Sequence, residues 1–124
     1  MDSPLRLAVL LSGGGRTLQN FLDLSAEGEL LAEVVKVASS RSDAYGLVRA
    51  QKAGVPTSVV SRKDYADTES FSDDLTEELR SCEPDLVAMA GFLSYYRIPD
   101  DFQNRIMNIH PALLPSFGGQ GYYG

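Results

Sequence analysis

A single cysteine and a single histidine leave this 124-residue chain without the means for several common chemistries. Cys82 has no partner for an internal disulfide, and its expected role is that of a small buried helix residue. With no other cysteine and no second histidine, the sequence offers no metal-ligand cluster. Positive charge is scarce too: 11 Lys and Arg against 17 Asp and Glu give a net charge of −6. Phosphate backbones call for clustered Lys and Arg, so no nucleic-acid partner is expected. An anionic small molecule stays open, because main-chain dipoles can attract it locally. Long apolar runs are absent, which excludes a bilayer-spanning helix and a membrane partner. The opening Met1-Asp2-Ser3-Pro4 has neither the basic start nor the apolar stretch of a signal peptide, and a cytoplasmic location is the default expectation.

What is present fits one small domain. Hydrophobic residues make up 44% and charged residues 23%, ordinary values for a globular chain able to build a core. Leu5 to Leu11 is a nearly continuous apolar run, as in a parallel strand covered on both faces. From Thr17 the period turns helical, with Leu18, Phe21, Leu22 and Ser25 on one face and Gly28 as the stop. Leu31 to Ala38 is a second strand. Asp43 is placed to cap a helix running to Ala53, with Ala44, Leu47 and Val48 inward and Gly54 at its end. Thr57 to Val60 is a third strand, and the polar stretch Ser61 to Ser70 a loop or ragged helix start. Phe71, Leu75 and Leu79 mark the next helix, closed off by Pro84. Leu86 to Ala90 is a fourth buried strand, and a short helix around Pro99 to Arg105 leads into a strand carrying Asn108. Alternating strands and helices imply right-handed crossovers, hence an α/β fold with a doubly wound, mostly parallel sheet.

Two segments carry chemistry. Gly13-Gly14-Gly15 sits between the first strand and the first helix, where the chain must turn tightly and can approach a ligand closely. The helix start at Arg16-Thr17-Leu18 presents free N–H groups and the positive end of the helix dipole, an arrangement suited to phosphate. Arg16 adds charge, and Thr17 is placed to cap the helix or to bond a phosphate oxygen. The loop is not G-x-G-x-x-G, since Leu18 takes the third glycine's place, and no Gly-Lys-Ser/Thr follows. A phosphate monoester suits it better than a dinucleotide. A glycine turn that serves only strand–helix packing is the plainer reading of the loop alone.

The second segment is Asn108-Ile109-His110-Pro111. Strand alternation puts Asn108 and His110 on one face, with Ile109 on the other. A carboxamide and an imidazole then share a small volume, as an oxyanion requires of donors fixed in place before charge develops. Pro111 and Pro115 bar an immediate return to regular structure. A lone histidine at a strand end is more often structural, and here it is the company of Asn108 and the glycine loop that points to acyl-type chemistry. Ligands in this topology gather at the carboxyl ends of the strands, the edge to which both segments belong.

Four stretches, in order and spanning nearly the whole chain, resemble the N-terminal part of the glycinamide ribonucleotide formyltransferases, folate-dependent enzymes of purine synthesis. They are Leu10 to Gln19 (LLSGGGRTLQ), Ser40 to Leu47 (SRSDAYGL), Pro84 to Leu93 (PDLVAMAGFL) and Asn108 to Pro115 (NIHPALLP). The Asn-x-His-Pro and Leu-Leu-Pro pieces are shared with related formyl-group enzymes, and the Ser-Gly-Gly-Gly loop narrows the choice. The resemblance implies a Rossmann-like formyltransferase fold and transfer of formyl from 10-formyltetrahydrofolate to the amino group of glycinamide ribonucleotide. By position, the main chain of Gly15, Arg16 and Thr17 would hold the ribonucleotide phosphate. Leu93, Ser94, Tyr95 and Tyr96 would line the folate pocket together with Asn108, and Asn108 and His110 would be the catalytic pair. Both implied partners are small molecules, and no metal is called for. The family's downstream half, with the aspartate that pairs with the histidine, has no counterpart among residues 1–124. The expectation is therefore a single domain fragment over 1–124, truncated at the C-terminus, with little turnover of its own.

Other readings start from the same residues. A non-catalytic module binding a phosphorylated metabolite would need only the glycine loop. A formyltetrahydrofolate hydrolase would share Asn108 and His110, but its extra amino-terminal regulatory domain has no counterpart here. A dinucleotide oxidoreductase is disfavoured by the missing third glycine and by the absence of an acidic residue after the second strand, which ends Ala38-Ser39-Ser40-Arg41. Oligomeric state is not legible in the sequence.

Overall fold

The computed structural model of the chain describes residues 4–109, so the expectations for His110 and for the stretch up to Pro115 lie outside the described residues. The chain runs β1 (Leu5–Leu11), α1 (Arg16–Ala26), β2 (Ala32–Ser39), α2 (Tyr45–Lys52) and β3 (Thr57–Val59). A 3-10 turn (Arg62–Asp64), α3 (Thr68–Arg80), β4 (Leu86–Ala90), a second 3-10 turn (Asp100–Phe102) and β5 (Ile106–Ile109) follow. The five strands pair in the order β3-β2-β1-β4-β5, every pairing parallel. The expected doubly wound sheet is therefore present, with its direction reversing at β1, where ligands bind in such folds.

Strand β1 explains why the sheet holds. It has a neighbour on each side, and Val9, Leu10 and Leu11 are fully buried. Its alternate residues feed two cores. Leu7, Val9 and Leu11 pack with Leu18 of α1 and Leu47 and Ala50 of α2 on one face. Ala8 and Leu10 pack with Phe71, Leu75 and Leu79 of α3 on the other. An apolar run without alternation is what a strand needs when both faces are covered.

Several local expectations change. Thr17 does not cap α1: Gly15 is the N-cap, with φ of 80°, and Thr17 is buried inside the first turn. Asp43 does not cap α2 either. That position falls to Ala44, which makes no side-chain cap, while the Asp43 carboxylate is gripped by both arms of Arg41. Val48 lies on the exposed side of α2, because one small face of Leu47 and Ala50 already fills the space over the sheet. Strand β2 starts one residue later than expected, leaving Leu31 exposed, and Cys82 is half-buried just past the end of α3. Its thiol donates to the Leu79 carbonyl, and burial pushes its pKa up. The polar stretch before α3 resolves into a 3-10 turn followed by a true cap, in which Asp67 accepts the Ser70 N–H at 2.7 Å.

Two measurements follow from this packing. Leu75, fully buried between α3 and β1, should cost about 2–5 kcal/mol in urea unfolding when cut to alanine, the usual range for such a cavity. A cost below about 1 kcal/mol would mean that the α3 face is not a packed core. The Asp67 carboxylate is held below its ordinary pKa by the Ser70 N–H. Its stabilising effect is thus complete above the unfolded pKa of about 3.9 and is lost as pH falls through the lower folded value. Asp67→Asn, which keeps an acceptor but no titrating charge, should flatten the acid limb of stability against pH; an unchanged limb would remove Asp67 from the account.

Candidate functional site

The site is built where the strands end. Register places Ser58, Ala38, Leu10, Met89 and Asn108 in a single row across the sheet. Asn108 is thus two strands from Leu10, roughly 10 Å at the usual strand spacing. Three residues beyond Leu10 the glycine loop begins, and one residue beyond Asn108 the described strand β5 ends. The row fixes which face Asn108 occupies. Ile106, two residues earlier, packs with the α3 core, whereas Ile109 packs with the α1–α2 core. Asn108 therefore stands on the α3 side of the edge, exposed, with Ile109 turned away as the strand alternation requires.

The glycine loop is open on one side and clamped on the other. A Cβ added to Gly13 or Gly14 would meet nothing within 4 Å, so that side is free for a ligand. Gly15 is different. Its φ of 80° suits glycine, and a Cβ there would lie 2.6 Å from the Cα of Gly46. Gly46 in turn has no room for a side chain, since its Cβ would fall 2.5 Å from the Leu11 side chain. The first turn of α2 is therefore pressed against the loop. The Gly46 N–H donates to the Gly13 carbonyl at 3.0 Å. Arg49 completes the clamp: its Nε donates to the Gly14 carbonyl at 2.7 Å and its Nη1 to Gln19 at 3.3 Å, while the guanidinium lies over the Tyr45 ring.

This tie uses up carbonyl oxygens and leaves N–H groups available. Among the described residues, the N–H groups of Gly14, Gly15, Arg16 and Thr17 meet no hydrogen-bond acceptor. Those of Gly15, Arg16 and Thr17 are the first donors of α1, at the positive end of its dipole, beside the exposed Arg16 side chain. Sequence reasoning named the loop but missed Arg49 and Gly46. The only local signal was a glycine in the first turn of a helix, where alanine would serve better unless a close contact forbids it.

Leu93, Ser94, Tyr95 and Tyr96 leave β4 on the α3 side, and the structure separates them. Leu93 and Tyr95 are 80% and 86% exposed, large apolar surfaces in water. Ser94 borders a cavity with Leu93. Tyr96 turns inward onto α3, where its hydroxyl and that of Thr76 are 2.6 Å apart and burial pushes its pKa up. The segment is anchored to β1 by the Leu93 N–H, which donates to the Ser12 hydroxyl at 2.9 Å. Next to it the Ser12 N–H donates to the Gly91 carbonyl. Among the described residues, no three His, Cys, Asp or Glu side chains gather into a metal-binding group.

Comparison with known proteins agrees with this frame. A family described as formyl transferase matches residues 5–123. The phosphoribosylglycinamide formyltransferase of Haemophilus influenzae is 37% identical over 120 residues, covering 95% of this chain and 57% of that protein. The trifunctional purine biosynthetic protein adenosine-3 of Drosophila melanogaster is 41% identical over 119 residues, covering 92% of this chain and 9% of that much longer one. Among solved structures, glycinamide ribonucleotide transformylase 1 from Symbiobacterium toebii superposes with a TM-score of 0.84 at 42% identity, over 96% of this chain and 57% of that one. The chain thus spans little more than half the length of the bacterial relative it matches. With the family match covering nearly every residue, the chain belongs to the formyl transferase family.

Proposed function

We propose that this chain takes part in the transfer of a formyl group from 10-formyltetrahydrofolate to the amino group of glycinamide ribonucleotide, in a cytoplasmic pathway of purine synthesis. The observation that carries the reading is the register row. It brings the strand end that leads into the glycine loop and the Asn108 carboxamide to one sheet edge, two strands apart. Relatives with purine-synthesis names support the choice of substrate.

In this reading the main chain of Gly15, Arg16 and Thr17 holds the ribonucleotide phosphate, with Arg49 and Gly46 keeping the loop in shape. The amine end then reaches toward β5. As the amine attacks the formyl carbon, negative charge grows on the formyl oxygen. The Asn108 N–H₂ donates to it, and His110, in protonated form, is the second donor. A proton leaves the incoming amine and reaches the departing folate nitrogen, through His110 or a bound water. The formyl donor lies along Leu93, Ser94 and Tyr95, where the exposed Leu93 and Tyr95 side chains suit a flat aromatic ring, with Tyr96 backing them from α3. No step calls for a metal. Residues 1–124 act here as one domain.

Formyl transfer by the full-length protein tests this. Asn108→Ala should lower the rate by about 10²–10³-fold, the usual loss for one oxyanion donor, with little change in substrate affinity. His110→Ala should lower it at least as far. A rate unaltered by both changes would refute the catalytic assignment. Substitution of the loop gives a separate readout. Arg49→Met frees the Gly14 carbonyl and should weaken glycinamide ribonucleotide binding by about tenfold in calorimetry, the scale of one charge-assisted hydrogen bond. Undiminished affinity would move the phosphate elsewhere.

A further inference from the structure

The segment between β4 and the second 3-10 turn behaves like a strand without a sheet. Along it Phe92, Ser94, Tyr96 and Ile98 are half-buried while Leu93, Tyr95 and Arg97 are exposed, the alternation of a chain with one covered face. Yet it joins no sheet, and among the described residues no main-chain group of residues 92–97 bonds to other main chain. A slip of one residue would turn Leu93 and Tyr95 inward and Tyr96 out. Something other than a ladder must fix which face looks outward.

Side-chain hydroxyls do so at both ends. The near end is fixed where the Leu93 N–H meets Ser12, and helix α3 holds the far end. Beside the core residues Phe71, Leu75 and Leu79, its inner face carries Ser72 and Thr76, 2% and 6% exposed. Serine and threonine are poorer helix formers than alanine, and a buried hydroxyl costs stability unless it is bonded. Both are bonded to the segment. Ser72 Oγ accepts the Arg97 N–H at 2.8 Å, and Thr76 Oγ1 lies 2.6 Å from the Tyr96 hydroxyl oxygen. Spaced i, i+4, they stand one turn apart on one side of the helix and catch two successive residues. Phe92 stacks on Phe71 and Ile98 joins the same core, which presses the segment onto α3 without setting its register. The Arg97–Glu69 pair is exposed and adds little. The directional bonds are those of the hydroxyls.

We propose that Ser72 and Thr76 are positioning residues for the formyl donor: by locking the register of residues 92–98 on α3, they keep Leu93 and Tyr95 turned outward as the donor's wall. Both act through the segment and not on the donor itself. The inference rests on the reading of Leu93, Ser94 and Tyr95 as the donor's site.

Calorimetry with tetrahydrofolate and steady-state formyl transfer, both on the full-length protein, test it. Thr76→Val keeps the side-chain shape without the hydroxyl, and Ser72→Ala removes the other anchor. Each should weaken tetrahydrofolate binding and raise the donor's KM by roughly three- to tenfold, the scale of one net hydrogen bond. The KM for glycinamide ribonucleotide should stay as it is, because the glycine loop is held from α2 and not from α3. A general loosening of the fold would raise both. Thr76→Ser, which keeps the hydroxyl, should retain the donor affinity of the unaltered protein. Unchanged donor affinity in Thr76→Val and Ser72→Ala, or an equal rise in both KM values, would overturn the proposal and leave the donor site standing. Failure of the unaltered protein to bind tetrahydrofolate would instead overturn the donor site, and the proposal with it.

Discussion

The loop after β1 depends on a contact between two residues that have no side chains. Gly15 can turn left-handed and lie against Gly46 only because neither carries a Cβ, and Gly46 leaves just the room that Leu11 needs. Remove that contact and α2 must retreat from the loop, taking with it the Gly46 N–H and the Arg49 guanidinium that hold the loop's carbonyls. The free N–H groups would then lose their common direction. The anion cradle proposed for this loop would have no strong charge of its own, so its strength would lie in pre-arrangement. The apolar core of β1 and the shape of the loop are thus parts of one packing problem.

Much of this was legible because both signals involved are local. A strand buried on two faces must be apolar throughout, and Leu5 to Leu11 and Leu86 to Ala90 emerged with those bounds. The 3.6-residue spacing of Phe71, Leu75 and Leu79 likewise identified the face of α3 that packs on the sheet. The glycine run announced a tight turn, and Asn108 fell where strand alternation placed it. What failed was capping. Asp43 and Thr17 are good caps by type, but each met a stronger claim: Arg41 took the carboxylate, and the turn at Gly15 moved the cap of α1 two residues earlier.

What stayed hidden was contact between distant parts of the chain. Arg49 reaches back 35 residues to Gly14, and Ser12 and Ser40 meet across 28. Neither pair leaves a periodic trace, because each depends on which strands become neighbours. The same holds for Tyr96. Its place beside Tyr95 suggested a joint role, yet Thr76 draws it inward while Tyr95 stays out in water. Adjacent residues in an irregular segment need not share a face, and only the packing of α3 decides between them.

The Ser12 hydroxyl has one more consequence. It joins three stretches that leave the sheet at different strands: its own after β1, Ser40 after β2 and Leu93 after β4. A pull on any one of them is felt by the other two through a single oxygen. Whatever shifts Ser40 therefore tugs on the backbone that presents Leu93, and the ends of β1, β2 and β4 share a mechanical linkage through one buried side chain.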